Sequence, residues 1–143
     1  DDLSLYGIGG ANNGGGSDGK EFTFPVGPVV AGTYIYVTDD DDDFLAFFGF
    51  SPDYQTGAML INGDDAIELF ENGNVIDTFG DINTDGTGEA WDYLDGWAKR
   101  YSATGPDGVI FDIAAWEFSG IDMLEGDTND TTPMPFILGG YSP

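Results

Sequence analysis

Residues 63–92, GDDAIELFENGNVIDTFGDINTDGTGEAWD, constrain this chain more than any other stretch. Two runs that alternate in hydropathy, 66–70 and 75–79, flank Glu71-Asn72-Gly73-Asn74. Asn-Gly between such runs supplies the positive-φ positions of a type I′ turn, whose twist matches that of paired strands, so the segment predicts a β-hairpin. Directly after the second run come Asp81, Asn83, Asp85, Thr87, Glu89 and Asp92, with a glycine at Gly86. Oxygen-bearing side chains at the first, third, fifth, ninth and twelfth places around a glycine at the sixth have the spacing of a calcium loop. Asp81, Asn83 and Asp85 would ligate through side chains, Thr87 through its carbonyl, and Glu89 or Asp92 would close the sphere. Aspartate at the twelfth place is shorter than the usual bidentate glutamate, so the expected site is weak but fills in millimolar calcium. No helix is expected on either side, and a plain turn held by side-chain caps is the alternative.

The chain's 143 residues, 41% of them apolar and 15% aromatic, suffice for one domain spanning 1–143 with a real core. Its formal charge of -24 comes from 27 acidic side chains against only Lys20, Lys99 and Arg100. So few cations leave almost no means of displacing counterions from phosphates, which argues against nucleic acid and anionic membranes as partners. Such a charge also repels itself and calls for cations to offset it, which suits a calcium-rich extracellular or cell-surface setting. Without cysteine or histidine there is no thiolate nucleophile, no thiolate or imidazole metal site and no Ser-His-Asp triad. No run approaches the ~20 apolar residues of a spanning helix. No basic, then apolar, signal segment opens the chain, so if the protein is secreted the expected form is the mature one.

Ahead of the hairpin, residues 3–8, 20–24 and 29–37 read as strands, the last rich in β-branched and aromatic side chains. Residues 9–16, GGANNGGG, read as a flexible loop. A phosphate-binding loop would need a helix after it, and the next stretch alternates as a strand instead. Asp39, Asp40, Asp41, Asp42 and Asp43 precede the dense apolar run 44–48. Their last members are expected to cap one short helix near residues 43–48, since anionic side chains favour that end of the helix dipole. The alternative to a solvated loop is a second, weaker calcium site on these five carboxylates, shared with a neighbouring loop. Trp91, Tyr93 and Trp97 read as packing that fixes the acidic loop, or as a carbohydrate-stacking surface. Lys99 and Arg100 are expected to pair with carboxylates nearby. Residues 109–113 and 116–118 read as further short strands or extended pieces, and Asn129-Asp130-Thr131 matches the N-glycosylation triplet.

DLSLYGI near the start, EFTFPVGPVVAGTYIYV after the glycines and INGDDAIELFENGNVIDTFGDI at the hairpin resemble the lamin-tail domain of bacterial secreted and surface proteins. The similarity covers about three quarters of the chain and is strongest over residues 62–97. It implies an immunoglobulin-like β-sandwich and a non-catalytic module, often found beside extracellular nucleases and other secreted enzymes. Short strands punctuated by Gly, Pro, Asn and Asp, with no long helical period, independently indicate an all-β fold of mostly antiparallel strands. Domains of that family open with one or two strands ahead of the DLS segment, whereas this chain opens on Asp1-Asp2-Leu3-Ser4.

That departure leads to the functional expectation. A missing strand leaves an apolar groove and an unpaired edge that a strand from another copy can fill, and repeated head-to-tail donation builds a filament. The candidate donors are residues 3–8 with Leu3, Leu5, Tyr6 and Ile8, freed by the glycine loop, and the proline-extended tail with Phe136, Ile137 and Leu138. A non-catalytic structural subunit that partners copies of itself and is stabilised by Ca2+ is therefore expected. The lack of a linker or second domain favours this over an accessory targeting module of a secreted enzyme such as a nuclease. Asp64, Asp65, Asp92 and Asp95 are the carboxylates that glycosidase chemistry would draw on. That chemistry needs two of them at a set separation across a sugar cleft, which abundance alone does not supply.

Overall fold

A computed structural model describes residues 2–142. Among these, the strands are β1 (Tyr6–Ala11), β2 (Phe22–Thr23), β3 (Val37–Thr38), β4 (Tyr54–Gln55), β5 (Ala66–Glu71), β6 (Asn74–Phe79), β7 (Ala98–Arg100) and β8 (Trp116–Phe118). One helix, α1 (Asp41–Phe48), lies between β3 and β4. The fold is mainly β. A four-stranded antiparallel sheet in the order β2-β1-β5-β6 is accompanied by a parallel β3-β4 pair and an antiparallel β7-β8 pair.

The β5-β6 hairpin forms where the Asn-Gly pattern places it. Asn72 and Gly73 take φ of 50° and 80°, the two positive values of a type I′ turn. Pairing runs from Glu71↔Asn74 to Ile67↔Phe79, with an irregularity between Leu69 and Phe70. The helix also forms, two residues earlier than expected. Asp40 is its cap, accepting from the amides of Asp42 and Asp43 at 2.9 and 3.0 Å, and Asp41, Asp42 and Asp43 fill its acidic first turn. Gly49, with φ of 78°, ends it.

The two faces of the large sheet are covered differently. On one face Glu68 lies opposite Thr78 and Gly9, and Glu68 and Thr78 are each only 2% exposed. Residues 12–21 fold back over this face, with the Ser17 hydroxyl donating to Glu68 and the Gly10 amide to Glu21. Gly9 permits that approach, since a Cβ there would lie 2.0 Å from the carbonyl oxygen of Gly19. On the other face Phe79 packs against the rings of Trp91, Tyr93, Phe111, Trp116 and Phe118 at 4.7–6.2 Å. At the margin of this aromatic layer Arg100 pairs with Asp77 at 2.5 Å and Asp107 at 2.9 Å, and its guanidinium stacks 4.6 Å over Trp116. Lys99 reaches Glu117 at 4.0 Å. Both C-terminal cations are thus paired locally, as their sequence context suggested.

Three expectations need correction and a fourth is narrowed. Residues 3–8 are not one strand, because Asp2 caps a 3-10 turn at Leu3–Leu5 and β1 starts at Tyr6. Residues 9–16 are not one flexible loop. Gly9 and Gly10 lie in β1, the Gly16 amide donates to the Ile82 carbonyl at 2.8 Å, and Gly14 lies against the backbone of Thr84 and Asp85. Within residues 29–37 strand forms only at Val37, the start of β3, because Gly32 interrupts the run and the Asp53 carboxylate takes the Tyr36 amide. Residues 109–113 form no strand either. The amide of Gly108 caps the Ile76 carbonyl of β6, and Asp112 starts a 3-10 turn at Ile113–Ala115.

Candidate functional site

The acidic loop after β6 is built from successive turns, each closed by its own aspartate. Asp81 accepts from the Asn83 amide at 2.9 Å and the Thr84 hydroxyl at 3.0 Å. Asp85 accepts from the Thr87 amide at 3.0 Å, which holds its carboxyl below the ordinary aspartate value. Asp92 bridges the amides of Gly88 and Leu94 at 2.8 and 3.0 Å. Short polar side chains that bond their own backbone two residues on are the physical content of such turns. Glu89 enters through its backbone, its amide donating to the Gly86 carbonyl.

The loop is tied to the sheet by residues that the twelve-place pattern omits. Asp64, just ahead of β5, accepts from the Thr87 hydroxyl at 2.6 Å, and its carbonyl takes the Gly86 amide at 3.0 Å. Asp65, 2% exposed, accepts from the Asn13 amide at 2.7 Å and the Asn62 amide at 3.2 Å. The Tyr93 hydroxyl donates to the Asp65 carbonyl at 3.0 Å. Burial, followed by the charges of Asp65, Asp64 and Asp92, pushes the Tyr93 phenol well above its ordinary value. The signal for this anchoring was the adjacent pair of aspartates before β5, read only as carboxylates that glycosidase chemistry would draw on.

As arranged, these side chains do not form a ready cation shell. Among the described residues no three acidic side chains converge to hold a metal ion. Asp81, Asn83, Asp85, Thr87, Glu89 and Asp92 share one loop, but the carboxylates of Asp81, Asp85 and Asp92 are engaged by donors within it. Of the run Asp39, Asp40, Asp41, Asp42 and Asp43, Asp40 caps α1 and the next three belong to its first turn.

The aromatic segment divides. Trp91 is buried against Phe79 and Phe111, Tyr93 joins the same layer, and Trp97 donates to the Met134 carbonyl at 2.8 Å while its ring meets Phe136. These three rings do not share one exposed platform. Asn129 is half-buried, and its side-chain amide brackets the backbone of Phe136 at 2.8 and 3.2 Å.

Both candidate donor segments are engaged at home. Tyr6 and Ile8 lie in β1, which is central and flanked by β2 and β5, and Leu3 and Leu5 are held through Gly27 and Asn72. The reading of residues 3–8 as a strand freed by glycines is corrected accordingly. The tail follows a different pattern. Beyond the Phe136 clamp, the Tyr34 hydroxyl donates to the Gly139 and Tyr141 carbonyls, the Tyr141 hydroxyl to Thr104, and Ser142 pairs with Ser102 and Ala103. It lies in a cradle of mixed contacts rather than a strand ladder, with Ile137 65% and Leu138 37% exposed.

An apolar groove of about 360 Å³ opens between the β1 side of the sheet and residues 29–37. Tyr6, Ile8 and Phe24 form one wall and Val30 and Ile35 the other, with no charged side chain in its lining. Among the described residues no helix is long and apolar enough to cross a membrane. Comparison with protein-family models, curated proteins and solved structures finds no significant match.

Proposed function

We propose that this chain is a non-catalytic structural subunit of an extracellular or cell-surface assembly, joined head-to-tail to copies of itself by exchange of its C-terminal segment. The observation that supports this reading is the tail cradle. The segment after Thr132 carries no charge and is held by side chains of Tyr34, Trp97, Ser102 and Asn129. A neighbour's tail could dock in the same cradle through the same hydrogen bonds. Exchange of an identical element between copies costs little, because each hydrogen bond given up at home is made again in the partner. Given in one direction only, such exchange does not close and propagates. In this reading the β5-β6 hairpin and its aromatic layer belong to a variant of the lamin-tail sandwich. Calcium acts on the loop of Asp81 to Asp92 by displacing some backbone donors from its carboxylates.

Removal of residues 133–143 tests the proposal. The intact chain is expected to form large species in millimolar calcium. The shortened chain is expected to stay folded, to form no large species and to bind a synthetic peptide of the missing residues. If the intact chain runs as a monomer under those conditions, the accessory targeting module takes the place of this reading.

A further inference from the structure

We infer that the uncharged strip formed by residues 22–38 is a two-fold contact between two copies of this chain, separate from the tail exchange and not resting on it. In a chain of net charge -24, these seventeen consecutive residues contain no Asp, Glu, Lys or Arg. They supply both halves of a self-complementary surface. Val26, 83% exposed, stands on a turn pinned by the Leu3 amide on the Gly27 carbonyl at 2.8 Å, by the Gly27 amide on Asp2 at 3.2 Å and by the Asp2↔Pro28 bridge. Beside it lies the groove of about 360 Å³ walled by Tyr6, Ile8 and Phe24 and by Val30, itself 75% exposed, and Ile35.

Charge selects the occupant. Two bodies of this net charge repel over a screening length of about 8 Å at physiological salt, so they meet at least cost where carboxylates are absent. Of the acidic residues around the strip, Asp2 turns an oxygen to the amides of Ser4 and Gly27, Asp53 to that of Tyr36 and Glu21 to that of Gly10, while Glu71 lies beside the Tyr6 hydroxyl and Asp39 follows the strip at its far end. A pinned apolar projection next to an apolar groove on one strip allows each copy to place its Val26 turn in the other's groove. Such a contact is isologous and closes as a pair. Because the turn is already fixed, little ordering opposes association.

Sedimentation velocity on the full chain tests this, alongside Val26→Asp with Val30→Asp, Val26→Leu, and the chain lacking residues 133–143. The intact chain and the tail-shortened chain are expected to form dimers that tighten as salt is raised. Val26→Leu keeps them. The double aspartate variant, at exposed positions and with an unchanged melting curve, is expected to weaken dimerisation by at least about tenfold, as carboxylates brought together in an apolar contact require. Dimers of the double variant as tight as those of the intact chain would overturn the contact while leaving the tail-exchange reading standing. So would a tail-shortened chain that remains monomeric at high salt.

Discussion

The two faces of the four-stranded sheet are buried by different means. On the Phe79 face, five aromatic neighbours surround one ring, and cohesion comes from area removed from water and ring-edge geometry. On the Glu68 face, a glycine-rich segment is laid directly on the strands, and a buried carboxylate is held by a serine hydroxyl. The first face tolerates imprecision and loses stability in proportion to volume removed. The second depends on backbone approach and on each polar group having a partner, so small changes act by misfit rather than by lost area.

The largest effect is expected from Phe79→Ala, which removes the ring that the aromatic layer converges on and should cost about 3–5 kcal/mol in denaturant unfolding. A loss below about 1 kcal/mol would mean that the layer repacks and that the contrast between faces is false. Arg100→Met comes next at about 3 kcal/mol, because Asp77 and Asp107 lose their cation. The low end of the buried-pair range applies since the Asp107 side chain is 38% exposed. A double-mutant cycle with Asp77→Asn checks whether the pairing, rather than stacking on Trp116, carries the effect.

On the opposite face, Gly9→Ala sharpens the comparison, since it adds a single methyl group. That methyl meets the Gly19 backbone, which cannot give as a flexible side chain would, and a cost of about 1–3 kcal/mol is expected. Hydrogen exchange should show lost protection in residues 12–21 before any loss in β6. Ser17→Ala is milder, about 1–2 kcal/mol, because it leaves the Glu68 oxygen without its hydroxyl donor.

The same contrast explains what could be read in advance. The hairpin was legible because Asn72-Gly73 dictates its turn locally, and α1 was legible because Asp40 caps amides only two and three residues on. The local pairing of Lys99 and Arg100 followed from their scarcity in so acidic a chain. The glycine segment was not legible, because what requires glycine at position 9 is a backbone that arrives from ten residues later. Residues 29–37 have strand composition, but pairing was lost to Asp53, whose carboxylate takes a backbone amide that a neighbouring strand would otherwise claim. At the acidic loop the aspartates were found and their spacing was read as ligation. Their engagement with loop amides, and the tie through Asp64, depend on the course of the backbone and on a segment that lies outside the twelve places.

The smallest effect separates calcium from side-chain capping in that loop. Asp85 is exposed and held below the ordinary aspartate value chiefly by the Thr87 amide. A carboxyl depressed by folding contributes stability that is present above its unfolded value, about pH 4, and is lost as pH falls through the lower folded value. Carboxyl NMR titration should therefore show Asp85 titrating below an ordinary aspartate, and Thr87→Pro, which removes the amide donor, should move it back up. If calcium also acts here, chelator should lower the melting temperature of the intact chain by a few degrees, and Asp81→Ala with Asp85→Ala should abolish that dependence. Melting curves that coincide with and without chelator, together with the expected titration of Asp85, would assign the loop wholly to its internal hydrogen bonds and remove calcium from the account of this fold.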